Sequence, residues 1–310
     1  MPAQPAKSRM PIEGPEGERS TVGAAAVPSH AAREVPPRRF HPWGGQKVTS
    51  LSSALRLVAD GSSLALGGFT LYRRPMAAVL ALISRGLRNV TLIDYIAAFE
   101  ADVMIGAGCV SSIRTCYCGM EIFGLAPMYR AAVGRGSVSV VTETEATLAY
   151  GLRAARARTD FVPARIFGGT QMLELRPDLK LVASPYSGVE FVAVPAVHPD
   201  VTIVHALMAD ETGNAVLGGE LALDVDLAAA SRHTIVTTDR IVPREEIERR
   251  GADLLGGFVD AVVECPRGAW PTSCHPEYLP DFALFADYMQ ACEEGRFAEF
   301  CALLEGRRPA

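Results

Sequence analysis

Between residues 47 and 300 the apolar positions switch repeatedly between a helical period and short continuous runs. Over residues 50–59, Leu51, Ala54, Leu55 and Val58 recur at helical spacing, behind a serine able to cap the first turn. Leu64-Ala65-Leu66 then forms an apolar triplet that predicts a buried strand. Pro75 opens a second helix over residues 76–84, apolar on most sides and stopped by Gly86, and Val90-Thr91-Leu92-Ile93 follows as another strand. The same grammar predicts a strand over 137–141, a helix over 145–158 and a short strand over 164–167. Further on it predicts a buried strand over 201–205, a helix around 226–230 and a strand over 234–237. Such alternation points to an α/β protein with a largely parallel sheet flanked by helices. No linker and no short repeat interrupts residues 47–307, so residues 47–310 are expected to form one α/β domain.

Residues 1–46 follow neither period and are rich in Pro, Ala, Arg and Glu, which predicts a disordered N-terminal extension. Their opening lacks the apolar core of a secretory signal, and no apolar run in the chain reaches the ~18 residues of a membrane span. With 49% hydrophobic and 21% charged residues, the chain has the composition of an ordinary globular protein. A formal net charge of -5 gives no electrostatic reason to expect nucleic acid or an anionic membrane as partner. The seven cysteines include no C-x-x-C pair, which suits a reducing cytoplasm. Cys116-Tyr117-Cys118 is expected to set both thiols on one face of an extended strand, where packing explains them better than metal or redox chemistry.

Open α/β sheets bind ligands beyond the carboxyl ends of their strands, so the residues there are the candidates for chemistry. Gly67-Gly68-Phe69-Thr70 ends the first strand. Two residues without Cβ let a ligand approach the backbone, and the amides that lead into a helix favour negative charge. Gly168-Gly169 and Gly218-Gly219 repeat the pattern at other strand or loop ends. Arg73 and Arg74 carry guanidinium groups suited to a carboxylate or phosphate. Glu145 falls in the first turn of a helix, where the helix dipole alone would explain it, and a glutamate is able to act as a general base. Glu143 and Glu121 are neighbouring alternatives. His205 ends an apolar strand and His198 precedes a proline; neither accompanies a serine or cysteine nucleophile motif. No metal-ligand spacing occurs, and no metal is expected.

The segment from Asp60 to Pro75, DGSSLALGGFTLYRRP, resembles the A-subunit signature of family I coenzyme A transferases. Arg73-Arg74-Pro75 is similar to the glutaconate CoA-transferase branch of that family. Gly218-Gly219, Asp224-Val225-Asp226, Thr234-Ile235-Val236-Thr237 and Val259-Asp260-Ala261-Val262-Val263 extend the resemblance over residues 47–300. It implies the family I CoA-transferase fold, a coenzyme A thioester as substrate rather than a bound cofactor, and a crevice that includes Gly67, Gly68, Phe69, Thr70, Arg73, Gly218 and Gly219. It also implies half an enzyme. The nucleophilic glutamate of such transferases lies in a Ser-Glu-Asn-Gly motif of the B subunit, a motif that this sequence lacks, so a hetero-oligomer of type (AB)n is expected. Glu145 aligns with a glutamine of the transferase A subunits. A glutamate there is similar to the A subunits of steroid-ring hydrolases, which open a cyclic acyl-CoA. A non-catalytic acyl-CoA-binding protein is the third reading.

Overall fold

Strand β1 (Ser63–Leu66) lies in the middle of the sheet because its side chains are wanted on both sides. Leu64 and Leu66 point into the larger core, while Ala65 points into a second apolar cluster on the other face, the period-two alternation of a buried strand. The computed structural model describes residues 45–307. Most of the extension expected over residues 1–46 therefore lies outside the described residues.

In chain order, a short helix α1 (Leu51–Ala54), capped by the Ser50 hydroxyl and continued by one 3-10 turn, precedes β1. Helix α2 (Met76–Ser84), β2 (Val90–Ala97), α3 (Phe99–Gly106), β3 (Val110–Cys118), α4 (Pro127–Gly134), β4 (Ser139–Thr142) and α5 (Glu145–Ala157) complete the first half. A small insert follows, made of β5 (Phe161–Ala164), α6 (Met172–Leu175), β6 (Lys180–Ala183) and β7 (Glu190–Pro195). Then come β8 (Val201–Ala206), the hairpin β9 (Met208–Ala209) and β10 (Ala215–Val216), α7 (Asp224–Ala230), β11 (His233–Thr238), α8 (Arg244–Arg250) and β12 (Ala261–Glu264). Helices α9 (Phe282–Glu293) and α10 (Phe297–Arg307) close the described chain.

Seven strands form one sheet in the order β12-β11-β8-β1-β2-β3-β4, every neighbouring pair parallel. The chain leaves β1 toward β2 and returns at β8 on its other side. The β1/β8 seam is therefore the topological switch point, where the connections diverge and open a crevice at the strands' carboxyl ends. On one face α2, α3 and α9 cover the larger core, in which Phe99 packs edge-on against Phe285 and Tyr288 at 5.3 and 4.9 Å. On the other, Leu148, Leu152 and Ala155 form one stripe of α5, spaced by four and three residues, and meet Leu227 and Ala230 of α7 over Ala65 and Ile93. Among the described residues no helix is long and apolar enough to cross a membrane.

Three expectations need correction. The strand expected over 164–167 is β5, ending at Ala164, and it belongs to a separate antiparallel sheet in the order β5-β7-β6. Phe167 stands in the left-handed region at φ 66°, and Gly168-Gly169 follows a strand of this antiparallel sheet instead of a parallel one. Helix formation over 50–59 stops after two short turns, because the chain extends at Val58. Cys116 and Cys118 do not share a face: Cys116 packs with the α5 cluster and Cys118 with the larger core, and between them Thr115 Oγ1 donates to the Tyr117 carbonyl.

Candidate functional site: a crevice at the switch point of the sheet

The Gly67–Thr70 turn leaves β1 at the seam. A Cβ on Gly67 would lie 2.7 Å from Val204 and 2.9 Å from the Asp224 carboxylate, and one on Gly68, which stands at φ +90°, would run into the Tyr72 and Arg73 carbonyls. The glycines are there for this close approach of the turn to its own chain. All four amides of the turn are engaged. Gly67 donates to Ile203 at 2.9 Å, Phe69 to Tyr72 at 3.0 Å and Thr70 to Ile96 at 3.2 Å, while Gly68 donates to Asp224 Oδ1 at 2.8 Å. The expected cradle of free amides is thus absent at these four positions, and the turn shapes a wall.

Arg73 and Arg74 follow the same logic. Both are almost fully buried, Arg73 at 1% and Arg74 at 0% exposure. The Arg73 guanidinium pairs with Asp224 at 2.7 Å and donates to the carbonyls of His205 and Glu220. It ties β1's turn to the Gly218-Gly219 loop and the start of α7, so its expected role toward a substrate anion gives way to positioning. Arg74 pairs with Asp94 at 2.9 Å and Glu100 at 3.2 Å, and donates to carbonyls of Gly67, Thr70 and Ile96. Burial works against its charge, but the two carboxylates outweigh it and hold its pKa above the ordinary value. Gly218 passes 3.0 Å from the His275 carbonyl, measured from an added Cβ, whereas Gly219, at φ +66°, faces open space.

Glu145 is the first residue of α5. Thr144 caps the helix, accepting from the Thr147 amide at 3.2 Å while the Thr147 hydroxyl accepts from the Thr144 amide at 2.8 Å. That reciprocal cap projects Glu145 out from the carboxyl end of β4. Its carboxylate is exposed and has no ion-pair partner among the described residues. Glu143, two residues back, is 3% exposed and spent on the fold, paired with Arg114 and with Arg176 at 2.8 Å. Arg176 in turn clasps Asp178 through two bonds of 2.7 Å. Glu121 is exposed in a 3-10 turn beyond β3.

Two residues that the sequence does not mark as site residues join Glu145. Tyr95, near the end of β2, stands 6.1 Å from the Phe69 ring between centroids. Burial first, then the charges of Glu145 and Glu220, raise its phenol above the ordinary pKa. Cys116 of β3 is pushed up to about 12 by burial and by Glu143 and Glu145, so it is a thiol and not a thiolate. Both keep their protons and are donors. The structure thus brings Phe69, Tyr95, Cys116, Glu145 and Glu220 near one another at the carboxyl ends of the strands. The signal that finds Tyr95 and Cys116 is their position near strand ends; their chemistry alone does not mark them. His205 is buried in β8, its ring nitrogens 3.0 Å from Thr237 Oγ1 and 3.2 Å from Asp239 Oδ1, which is a structural setting. With Asp239 and Cys274 it forms a tight group of potential metal ligands, each already hydrogen-bonded within the group or to its neighbours.

The chain belongs to the coenzyme A transferase family, whose model it matches over residues 48–265. An uncharacterized protein of Archaeoglobus fulgidus is 33% identical over 278 residues, which cover 88% of this chain and 62% of that relative. The glutaconate CoA-transferase A subunit of Acidaminococcus fermentans is 31% identical over 277 residues, covering 82% of this chain and 86% of its own. The crystal structure of glutaconate CoA-transferase from that organism matches with a TM-score of 0.76 at 30% identity, covering 83% of this chain and 87% of that one. The cholesterol ring-cleaving hydrolase IpdA subunit of Rhodococcus jostii is 29% identical over 262 residues, 80% of this chain and 87% of that one. A decarboxylase AibA/AibB structure matches with a TM-score of 0.76 and 31% identity over 84% of this chain and 98% of that one. The family's fold is thus present here, on a seven-stranded parallel sheet.

Proposed function

We propose that this chain is the A subunit of a heteromeric CoA-transferase that moves CoA between an acyl-CoA and a carboxylic acid, with the nucleophilic glutamate supplied by a separate B subunit. The observation that carries the reading is the gathering of Tyr95, Cys116 and Glu145 at strand ends beside the β1/β8 switch point, on the family's fold and in a sequence without the Ser-Glu-Asn-Gly motif. The two most basic side chains beside the switch point, Arg73 and Arg74, are consumed by Asp224, Asp94 and Glu100. Cys116 is held as a thiol.

The groups that remain suit positioning. The turn amides being occupied, the donors left near Glu145 for a thioester oxygen are the Tyr95 phenol, beside Phe69, and the Cys116 thiol. In this scheme the partner's glutamate attacks the acyl carbonyl, the enzyme holds CoA as a thioester, and the acceptor carboxylate then takes it up. No permanently bound cofactor enters. The test is an exchange assay on this chain co-purified with its companion subunit. Transfer of CoA from an acyl-CoA to a free acid, absent with either chain alone, is expected; release of free CoA without any acyl exchange overturns transfer.

One observation favours a second reading. Glu145 presents an unpaired carboxylate where the transferase A subunits have a glutamine, a group able to activate water for hydrolysis of a cyclic acyl-CoA. Hydrolysis predicts incorporation of oxygen from labelled water into product, lost in Glu145→Gln; transfer predicts no such label.

A further inference from the structure

At the other half of the same sheet edge, a cavity of about 240 Å³ opens beyond the carboxyl ends of β11 and β12. It lies roughly five strand positions from Glu145 along the sheet, ~24 Å at the usual spacing between strands. Asp239, Arg240, Arg267, Glu277 and Tyr278 line it. Neither guanidinium has a function in the crevice described above.

Arg267 has three features of a built site. It stands at φ +50°, a left-handed conformation that costs a residue with a side chain free energy and is retained where the surroundings impose it. Its guanidinium lies over the Tyr278 ring, 4.7 Å from the centroid, which restrains the fork. It forms no ion pair with a carboxylate among the described residues, and its Nε is buried without a hydrogen-bond partner. Arg240 faces the same space, with a buried, unpartnered Nε of its own and a long 3.4 Å contact to Glu277, both side chains a little under half exposed. A pair that loose and exposed is weak and exchanges readily for a better anion. His205, Gly268 and Tyr278 all bond Asp239 through its Oδ1, and its Oδ2 is buried without a hydrogen-bond partner. Burial opposes its charge, yet His205, the Gly268 amide at 3.3 Å and the Tyr278 hydroxyl at 3.3 Å are its partners, and its pKa is held below the ordinary value.

We propose that this cavity binds a phosphate-type oxyanion, gripped by the Arg267 fork and by Arg240 after Arg240 exchanges Glu277 for the ligand. Two planar forks, one of them held against an aromatic ring, match a tetrahedral oxyanion through charge-assisted bonds. The phosphates at the nucleotide end of a coenzyme A molecule and free phosphate share this chemistry. The site needs no second polypeptide and no turnover, so it stands independently of the transferase reading.

The test is calorimetric titration of the full chain with inorganic phosphate and, separately, with adenosine 3′,5′-bisphosphate. Saturable binding of at least one is expected. Arg267→Met weakens it roughly tenfold or more, as removal of charge-assisted bonds does. Glu277→Gln strengthens it by a few-fold, since it removes the competing carboxylate. Tighter binding of the bisphosphate than of phosphate assigns the site to a nucleotide; equal binding assigns it to free phosphate. Thermal melts of each variant establish folding, and a gain of affinity in Glu277→Gln cannot come from unfolding. Absence of saturable binding with both probes, or affinities unchanged in both variants, overturns the proposal.

Discussion

Arg73 and Asp224 meet at 2.7 Å across 151 residues of sequence, both out of contact with water, and the second oxygen of Asp224 accepts the Gly68 amide. This one carboxylate joins the turn after β1 to the start of α7. A buried pair of this kind adds little stability relative to an apolar pair, but removal of one partner strands the other charge.

Asp224→Asn is therefore expected to destabilise the protein by about 3–5 kcal/mol, although the amide oxygen still accepts from Gly68. Adding Arg73→Met to Asp224→Asn is expected to restore most of that loss. Urea unfolding of the two single variants and the double variant measures the coupling; additive losses would show that the two residues do not act as a pair.

The glycines differ in kind. An alanine at Gly68 would drive its Cβ into the Tyr72 carbonyl from a φ of +90°, so Gly68→Ala should cost roughly 3 kcal/mol or more. Gly219, at φ +66° with nothing within 4 Å of an added Cβ, should lose only about 1–2 kcal/mol on the same change. Melting curves of the two variants give the comparison directly, and equal losses would contradict the wall that the turn is taken to form.

Strand β1, helix α2, the β2 start, α5 and strands β8 and β11 are legible from periodicity because each meets the core with its own apolar face. β3 is not. Its polar run of Ser111, Ser112, Arg114 and Thr115 shows no period, and Arg114 is buried only because Glu143 and the loop carrying Arg176 come to meet it from elsewhere in the chain. The antiparallel insert is hidden for a related reason: an apolar run such as 164–167 does not state which strand it will pair with, and β5 pairs with β7. In the site, Glu145 is readable from its place at a helix start. Arg73 carries the right charge for a ligand, but its partner Asp224 lies 151 positions away, and only the fold shows that the charge is already answered. Tyr95 and Cys116 emerge only once parallel pairing brings the ends of β2 and β3 beside Glu145.

Glu145 is exposed at the first helical position of α5, where a carboxylate contributes about 0.3–1 kcal/mol through the helix dipole. Glu145→Gln should leave unfolding within about 1 kcal/mol of the parent, and any larger change in turnover then belongs to chemistry. A loss of stability well beyond that range would make Glu145 a structural residue.

Asp102 of α3 is buried against α4 and α9. It accepts from the Tyr129 amide at 2.6 Å, the Met128 amide at 3.3 Å and the Tyr288 hydroxyl at 2.6 Å. Burial nevertheless outweighs these bonds and pushes its pKa up to about 6. A carboxyl raised above its unfolded value stabilises the fold at low pH, and this contribution is lost as pH rises from about 4 through about 6. The difference in unfolding free energy between the parent and Asp102→Asn should therefore shift against the parent by roughly 2–3 kcal/mol between pH 4 and pH 7. A difference that does not change with pH would place the Asp102 proton elsewhere.

The central claim is that this chain builds one wall of a crevice whose nucleophile resides on another polypeptide. Treating the complex of this chain and its companion subunit with acyl-CoA, trapping with borohydride or hydroxylamine, and locating the modified glutamate by mass spectrometry tests it most directly. The account predicts modification on the companion polypeptide and none on this chain. A trapped adduct on Glu145, or on any other carboxylate of this chain, would contradict it.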